Sequence, residues 1–167
     1  MRGRRPRYAA DEMLGSLARW LRIMGYDTTY QKDMADEEIL RHAREEGRIL
    51  LSRDRELVRR AGESGMYVES DDPTAQLRQV FSAFSLTADE RLTRCTVCNG
   101  NLETVDVSEA RESVPPGVLE NNDEFFRCVR CHKIYWKGTH WDRIMRTLEG
   151  LSDEGAGWGG DPSDQSL

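Results

Sequence analysis

Two aspartates sit just beyond short apolar runs, Asp11 closing YAAD and Asp54 following ILLSR. A charge placed directly after a buried strand needs a reason. If both strands belong to one parallel sheet, their C-terminal ends lie along one edge, where open α/β sheets bind their ligands. Two carboxylates brought together there repel unless a cation lies between them or one is protonated. A hard cation such as Mg²⁺ or Mn²⁺ prefers such oxygen ligands and keeps several waters. The other reading is that each aspartate caps the helix that follows it, and the residue types alone leave both open. Asp36, after the run TTY, is a candidate third carboxylate, although Asp36 also fits an N-cap and Glu37 and Glu38 fit the favourable end of a helix dipole. Asp71 and Asp72 invite the same two readings.

The four cysteines form two C-x-x-C pairs, CTVC at 95 to 98 and CVRC at 128 to 131, with 29 residues between them. Each pair presents two sulfurs, and four thiolates complete a tetrahedral Zn²⁺ site with no open position, which makes the metal structural. Two disulfides would suit a small secreted chain, and nothing resembling a signal peptide begins this one. The long spacer points to strands and a loop, as in a zinc ribbon. Within YWKGTHW, Tyr135, Trp136 and Lys137 combine aromatic faces with a cation, a composition suited to unpaired bases and phosphates. Trp141 is instead in phase with Ile144, Met145 and Leu148 and is expected in the core.

The elements that must position these groups are legible along the first 84 residues. Strands are expected at 8–10, 28–30, 49–52 and 66–68, because these runs are short, apolar or β-branched. Between them, Met13, Leu14, Leu17, Ala18, Leu21 and Met24 recur at helical spacing up to Gly25; a second helix opens at Asp36 and ends by Gly47; a third runs from Arg55 to Ala61. DDPTAQLRQVF gives a fourth helix, with a cap aspartate and proline at its first position. Alternating strands and helices of this kind make an α/β layer with a parallel sheet flanked by helices. We expect this layer over residues 1–90, a zinc ribbon held by the four cysteines over 91–149 and a disordered acidic tail over 150–167. With those boundaries, loss of the ribbon's metal should leave residues 1–86 folded.

The net charge of −6 lies mostly in the tail, which holds four acidic and no basic residues, so the folded part is near neutral and compatible with a nucleic-acid partner. Arg19, Arg22 and Arg53 are candidate phosphate contacts, since a guanidinium binds phosphate in two-pronged fashion; the arginine bias fits base composition of the gene equally well. No apolar run approaches the length of a membrane span, and we expect a soluble cytoplasmic protein. No G-x-G-x-x-G or G-x-x-x-x-G-K-[ST] is present, which weighs against a nucleotide-cofactor enzyme. A receiver-type phosphoacceptor would want a lysine between Lys32 and Lys133, and a haloacid-type hydrolase would want D-x-D where this chain has D-E-M.

DEMLGSLARWLRIMGYD, RILLSRD, the two cysteine pairs and IYWKGTHW, in that order, resemble the Mut-seven C-terminal ribonuclease family over about residues 7–149. The resemblance implies a PIN-like nuclease fold followed by a zinc ribbon, RNA as partner, and cleavage dependent on Mg²⁺ or Mn²⁺. Carried over by position, Asp11 and Asp54 match the family's acids and Asp36 is the third, while neither Asp71 nor Asp72 matches a fourth well. Ser52 stands where a threonine is common. Such an enzyme would use its cation to acidify a water in line with the phosphodiester. The alternative is a non-catalytic RNA- or ribosome-binding adaptor, in which ribbon and arginines bind and the acids only cap helices.

Overall fold

The computed structural model describes residues 4–87 and 92–152; the expected tail beyond Ser152 lies outside them. Four parallel strands, β1 (Tyr8–Asp11), β2 (Thr28–Gln31), β3 (Ile49–Ser52) and β4 (Gly65–Tyr67), form one sheet in the order β2-β1-β3-β4. The central strand β1 pairs with both neighbours, Ala10 opposite Tyr30 on one side and Leu51 on the other. Strand alternation then sorts the side chains. Tyr8, Ala10 and Leu51 face α1 (Gly15–Ile23) and α4 (Pro73–Ala83), packing with Leu14, Leu17, Leu21, Leu77 and Val80. Ala9 and Leu50 face the opposite layer, against Ile39, Leu40 and Ala43 of α2 (Asp36–Glu45) and Leu57 of α3 (Arg55–Ala61). Each fully buried leucine in these layers stabilises the fold by roughly 1.5–3 kcal/mol.

Local chemistry sets the helix ends. Asp54 caps α3, its Oδ1 accepting from the backbone N–H of Glu56 and Leu57, and Asp72 caps α4 by accepting from Ala75 with Pro73 in the first turn. Asp36 does not cap α2. Ala35 holds the N-cap position without a side-chain bond, and Asp36 is the first helical residue, where its charge meets the positive end of the helix dipole.

The C-terminal part is a second, antiparallel sheet of β5 (Leu102–Val105), β6 (Phe125–Cys128) and β7 (Ile134–Trp136), closed by α7 (Thr139–Ser152). The long spacer between the cysteine pairs holds strands as expected, but part of the expected loop is helical. Beyond β5 it folds two short helices, α5 (Val107–Ala110) and α6 (Pro116–Asn121). Their signals are in the sequence: Asp106 and Glu109 make a capping box, and Pro116 opens α6. Val105, Ala110, Val114 and Phe125 form a small core between them.

The two sheets share one hydrophobic cluster. Leu92, Cys95, Cys128, Tyr135, Trp141, Ile144 and Leu148 are buried together with Leu17, Leu21, Met24 and Val80. Polar groups reinforce the join. Asn99 accepts from the Thr28 N–H at 3.0 Å and donates to Asp27 at 2.7 Å, and Asp27 also accepts from Arg48 at 2.7 Å and Arg7 at 3.2 Å. Burial would raise the Asp27 pKa, but the hydrogen bonds from Arg48 and Asn99 outweigh it and hold this carboxyl well below the usual range. Among the described residues no helix is long and apolar enough to cross a membrane.

Candidate active edge and metal centre

At the C-terminal edge of the parallel sheet, β1 and β3 are direct neighbours, so Asp11 and the Ser52–Asp54 turn lie side by side. A buried hydroxyl joins them. Ser52 Oγ donates to Asp11 Oδ2 at 2.7 Å and accepts the backbone N–H of Asp54 at 2.9 Å. Asp11 Oδ1 accepts from the Glu12 N–H at 2.6 Å, and the Tyr30 hydroxyl, from β2, donates to the Glu12 carbonyl at 2.5 Å. Asp11 is half-buried; Asp54 and Asp36 are exposed. The sequence reading missed the role of Ser52. The available signal was a small hydroxyl residue in the last, fully buried position of an apolar strand, where an unpaired hydroxyl would be costly.

Asp36 follows β2, the other neighbour of β1, and so belongs to the same side of the sheet. The three aspartates are not gathered into a closed cluster: among the described residues, the group of ligand atoms that converges is the four cysteines. As a donor set, the half-buried Asp11 carboxylate and the exposed Asp54 carboxylate, beyond adjacent strands, suit a hard cation that retains waters.

The cysteine sulfurs all lie within 4.8 Å of one another, with Cys98 and Cys128 3.4 Å apart and Cys95 and Cys131 3.7 Å apart. Sulfurs at about 2.3 Å from a tetrahedral Zn²⁺ would be separated by about 3.8 Å, so these four cysteines can hold a metal such as zinc. The two turns are built alike. Asn99 and His132, each following the second cysteine of its pair, adopt positive φ of 66° and 64° and donate their N–H to the carbonyls of Cys95 and Cys128. Backbone N–H groups of Cys98, Arg130 and Cys131 point at cysteine sulfurs at 3.4 to 3.5 Å. At Gly100 a Cβ would approach Cys128 Sγ to 2.8 Å and Cys98 Sγ to 3.3 Å, so only glycine passes beneath the sulfurs.

The thiols are unevenly poised. Burial raises the Cys95 pKa, yet hydrogen bonds from Tyr135 and backbone N–H groups bring it down to about 7. Burial pushes Cys98 up to about 12, and raises Cys131 as well. Four thiolates at this separation therefore require a cation to form together, and loading it releases protons.

The expected RNA-contacting residues are placed unequally. Arg22 is 6% exposed, and its guanidinium donates to the carbonyls of Thr28 at 2.9 Å, Thr96 at 2.9 Å and Val97 at 3.2 Å. It thus ties α1 to the first cysteine turn, and its position four residues after buried Ala18 is the signal for that. Tyr135 is fully buried, its hydroxyl between Cys95 Sγ at 3.0 Å and Thr96 Oγ1 at 3.3 Å. Neither has a face free for RNA. Arg19 and Arg53 are half-buried, each with Nε buried and without a hydrogen-bond partner. Trp136 is half-buried, and Lys137 lies with Nζ 5.4 Å from the Trp141 ring centre.

No curated protein and no solved structure matches the chain. The sequence model of one family, described as the Mut7-C RNAse domain, matches residues 6–148. That span takes in the aspartate-bearing parallel sheet, all four cysteines and most of α7, so the chain belongs to the Mut7-C RNAse domain family.

Proposed function

We propose that the protein is a metal-dependent ribonuclease of PIN-like type that hydrolyses RNA phosphodiester bonds at the edge bearing Asp11, Asp54 and Asp36. Its RNAse-domain family supports a ribonuclease-type function, and the observation that carries the finer reading is the Asp11–Ser52–Asp54 linkage across adjacent strands. A Mg²⁺ or Mn²⁺ ion held by these carboxylates would acidify a water and offset charge on the leaving oxygen. The protein's part is orientation. Ser52 holds Asp11 Oδ2 and the backbone N–H of Asp54, and the cap to α3 engages Asp54 Oδ1. Exposed at the sheet edge, Asp54 can reach an extended RNA strand. The division into a nuclease layer over 1–90 and a structural-zinc ribbon over 91–149 that assists RNA binding belongs to the same proposal, with Arg19, Arg53 and Lys137 as phosphate contacts.

Two variants test the roles of individual groups. Ser52→Ala should slow cleavage by about 10- to 100-fold, the usual effect of loosening a catalytic group by a fraction of an ångström, and Ser52→Thr should recover most of it because the hydroxyl remains. Equal rates for all three proteins would remove Ser52 from the account. Asp36→Asn keeps the residue's size and removes its charge at an exposed position, so melting should hardly move. Cleavage that needs more Mn²⁺ to reach the same rate would identify Asp36 as a ligand, and an unchanged Mn²⁺ dependence would leave only the dipole role. The adaptor reading predicts RNA binding with no cation-dependent cleavage in any of these proteins.

A further inference from the structure

Outside the parallel edge, one concavity lies on the ribbon where α6 meets the end of β7 and the start of α7. A cavity of about 280 Å³ is lined there by Gly117, Asn121, Asn122, Trp136 and His140, among others. A second cavity of about 430 Å³ shares Asn121 and Asn122 and adds Asp123, Glu124 and Lys137. The first is too small for an extended chain and sits at the lower limit of small-molecule sites. Its walls combine one aromatic ring with edge-on polar groups. The Asn121 and Asn122 amides are oriented by donating to the carbonyls of Gly117 at 2.7 Å and Val118 at 2.8 Å, so each side-chain carbonyl remains an acceptor. Trp136 Nε1 and the His140 ring make no hydrogen bond among the described residues. Aromatic surface with acceptors and donors in its rim is the chemistry that holds a nucleobase.

The second cavity is not a phosphate groove, since two carboxylates accompany its single cation. Carboxylates accept hydrogen bonds from hydroxyls, and a ribose offers a 2′-OH that deoxyribose lacks. We infer that these two neighbouring cavities, which share Asn121 and Asn122, bind one unpaired ribonucleotide of the RNA substrate, with the base in the Trp136–His140 cavity and the ribose beside Asp123 and Glu124. Lys137 then meets the adjoining phosphate. The inference rests on the ribonuclease reading for its choice of ligand, and it adds selection of base and sugar at a site separate from the acids.

Gly117 supplies a discriminating variant. It lines the base cavity, its backbone is not in the left-handed region, and a Cβ built on it meets no atom within 4 Å. Gly117→Leu therefore adds a side chain at the cavity wall from a Cβ position that is open, and should not lower the melting temperature. His140→Ala removes a lining side chain by a different route. The experiment measures fluorescence anisotropy of short labelled single-stranded homopolymers, each as RNA and as DNA. The protein is the full metal-loaded chain carrying Asp54→Asn, so that RNA is bound and not cut. One ribo-homopolymer should bind tighter than the other three and tighter than its DNA counterpart. Gly117→Leu should weaken that preferred complex roughly 5- to 100-fold, the range for losing one stacked base, and level the differences between bases. Should Gly117→Leu melt early, His140→Ala decides: weaker binding of the preferred RNA upholds the site, unchanged binding overturns it. Base-blind binding, or equal affinity for RNA and DNA, also overturns it. Cleavage by the parent chain is scored separately. Cleavage with base-blind binding removes this site and leaves the hydrolase, whereas base-selective binding without cleavage does the reverse.

Discussion

Stripping the metal from the cysteine cluster, or replacing Cys128 by serine, should unfold the antiparallel sheet and pull down the melting temperature of the parallel layer with it. A structural Zn²⁺ contributes roughly 10–16 kcal/mol of apparent binding energy at neutral pH, which matches or exceeds the whole stability of an ordinary domain at about 5–15 kcal/mol. The sequence boundaries led us to expect residues 1–86 to stay folded without the ribbon, and the shared core revises that expectation. Cys95, Cys128 and Tyr135 are buried in the same cluster as Leu17 and Leu21, and Asn99 holds both the Thr28 N–H and Asp27. Arg22 is the sharpest link. Burial lowers its pKa while Cys95 and Cys98 raise it, so its guanidinium is an internal counter-charge to the thiolates as well as the donor to Thr96 and Val97. Arg22→Met keeps the chain length but removes the donor to two buried carbonyls, of Thr28 and Thr96, and to the partly exposed carbonyl of Val97, and should cost about 2–3 kcal/mol and loosen metal retention. Thermal melts followed beside metal content at increasing chelator would show one coupled loss; full metal release with an unchanged melt would refute the coupling. Acidification should act in the same direction, because thiolates that bind metal must first be deprotonated.

Asp11→Asn and Asp54→Asn should each cut RNA cleavage by at least about 100-fold while leaving the fold in place. Their structural costs differ in an instructive way. Asparagine caps a helix about as well as aspartate, and Asp54 is exposed, so its replacement should change stability by no more than ~0.5 kcal/mol. Asp11 accepts at both oxygens, from Glu12 and Ser52, and an amide can accept at only one, which should cost about 1 kcal/mol. Loss of activity with so little loss of stability separates a metal-binding role from capping, since a mere cap would keep its activity in the asparagine form.

The strands and helices of the first half were legible because each is bounded by its own signals, as Asp72-Pro73 opens α4 and Gly25 and Gly47 stop α1 and α2. Adjacency of β1 and β3 was needed for the candidate edge, and the parallel pairing provides it. What escaped the sequence was tertiary. Arg22 read as a surface phosphate contact because arginine is usually solvated, and burial against the first cysteine turn overrides that habit. Tyr135 read as a stacking face, yet it is fully buried and its hydroxyl is held by Cys95 and Thr96. Ser52 seemed interchangeable with threonine, and only the spatial arrangement reveals that its hydroxyl joins the Asp11 carboxylate to the backbone of Asp54. Helices α5 and α6 were overlooked although Asp106 and Glu109 announce the first, because a four-residue helix shows no apolar period.

The most direct test is single-turnover cleavage of unstructured RNA by the full, zinc-loaded chain, with Mn²⁺ or with chelator selective for the weaker site, for the parent and for Asp54→Asn. The account predicts cleavage by the parent only when Mn²⁺ is present, and a folded, zinc-loaded, silent Asp54→Asn protein. Cleavage by Asp54→Asn at the parental rate, or by the parent without any divalent cation outside the cysteine cluster, would contradict it.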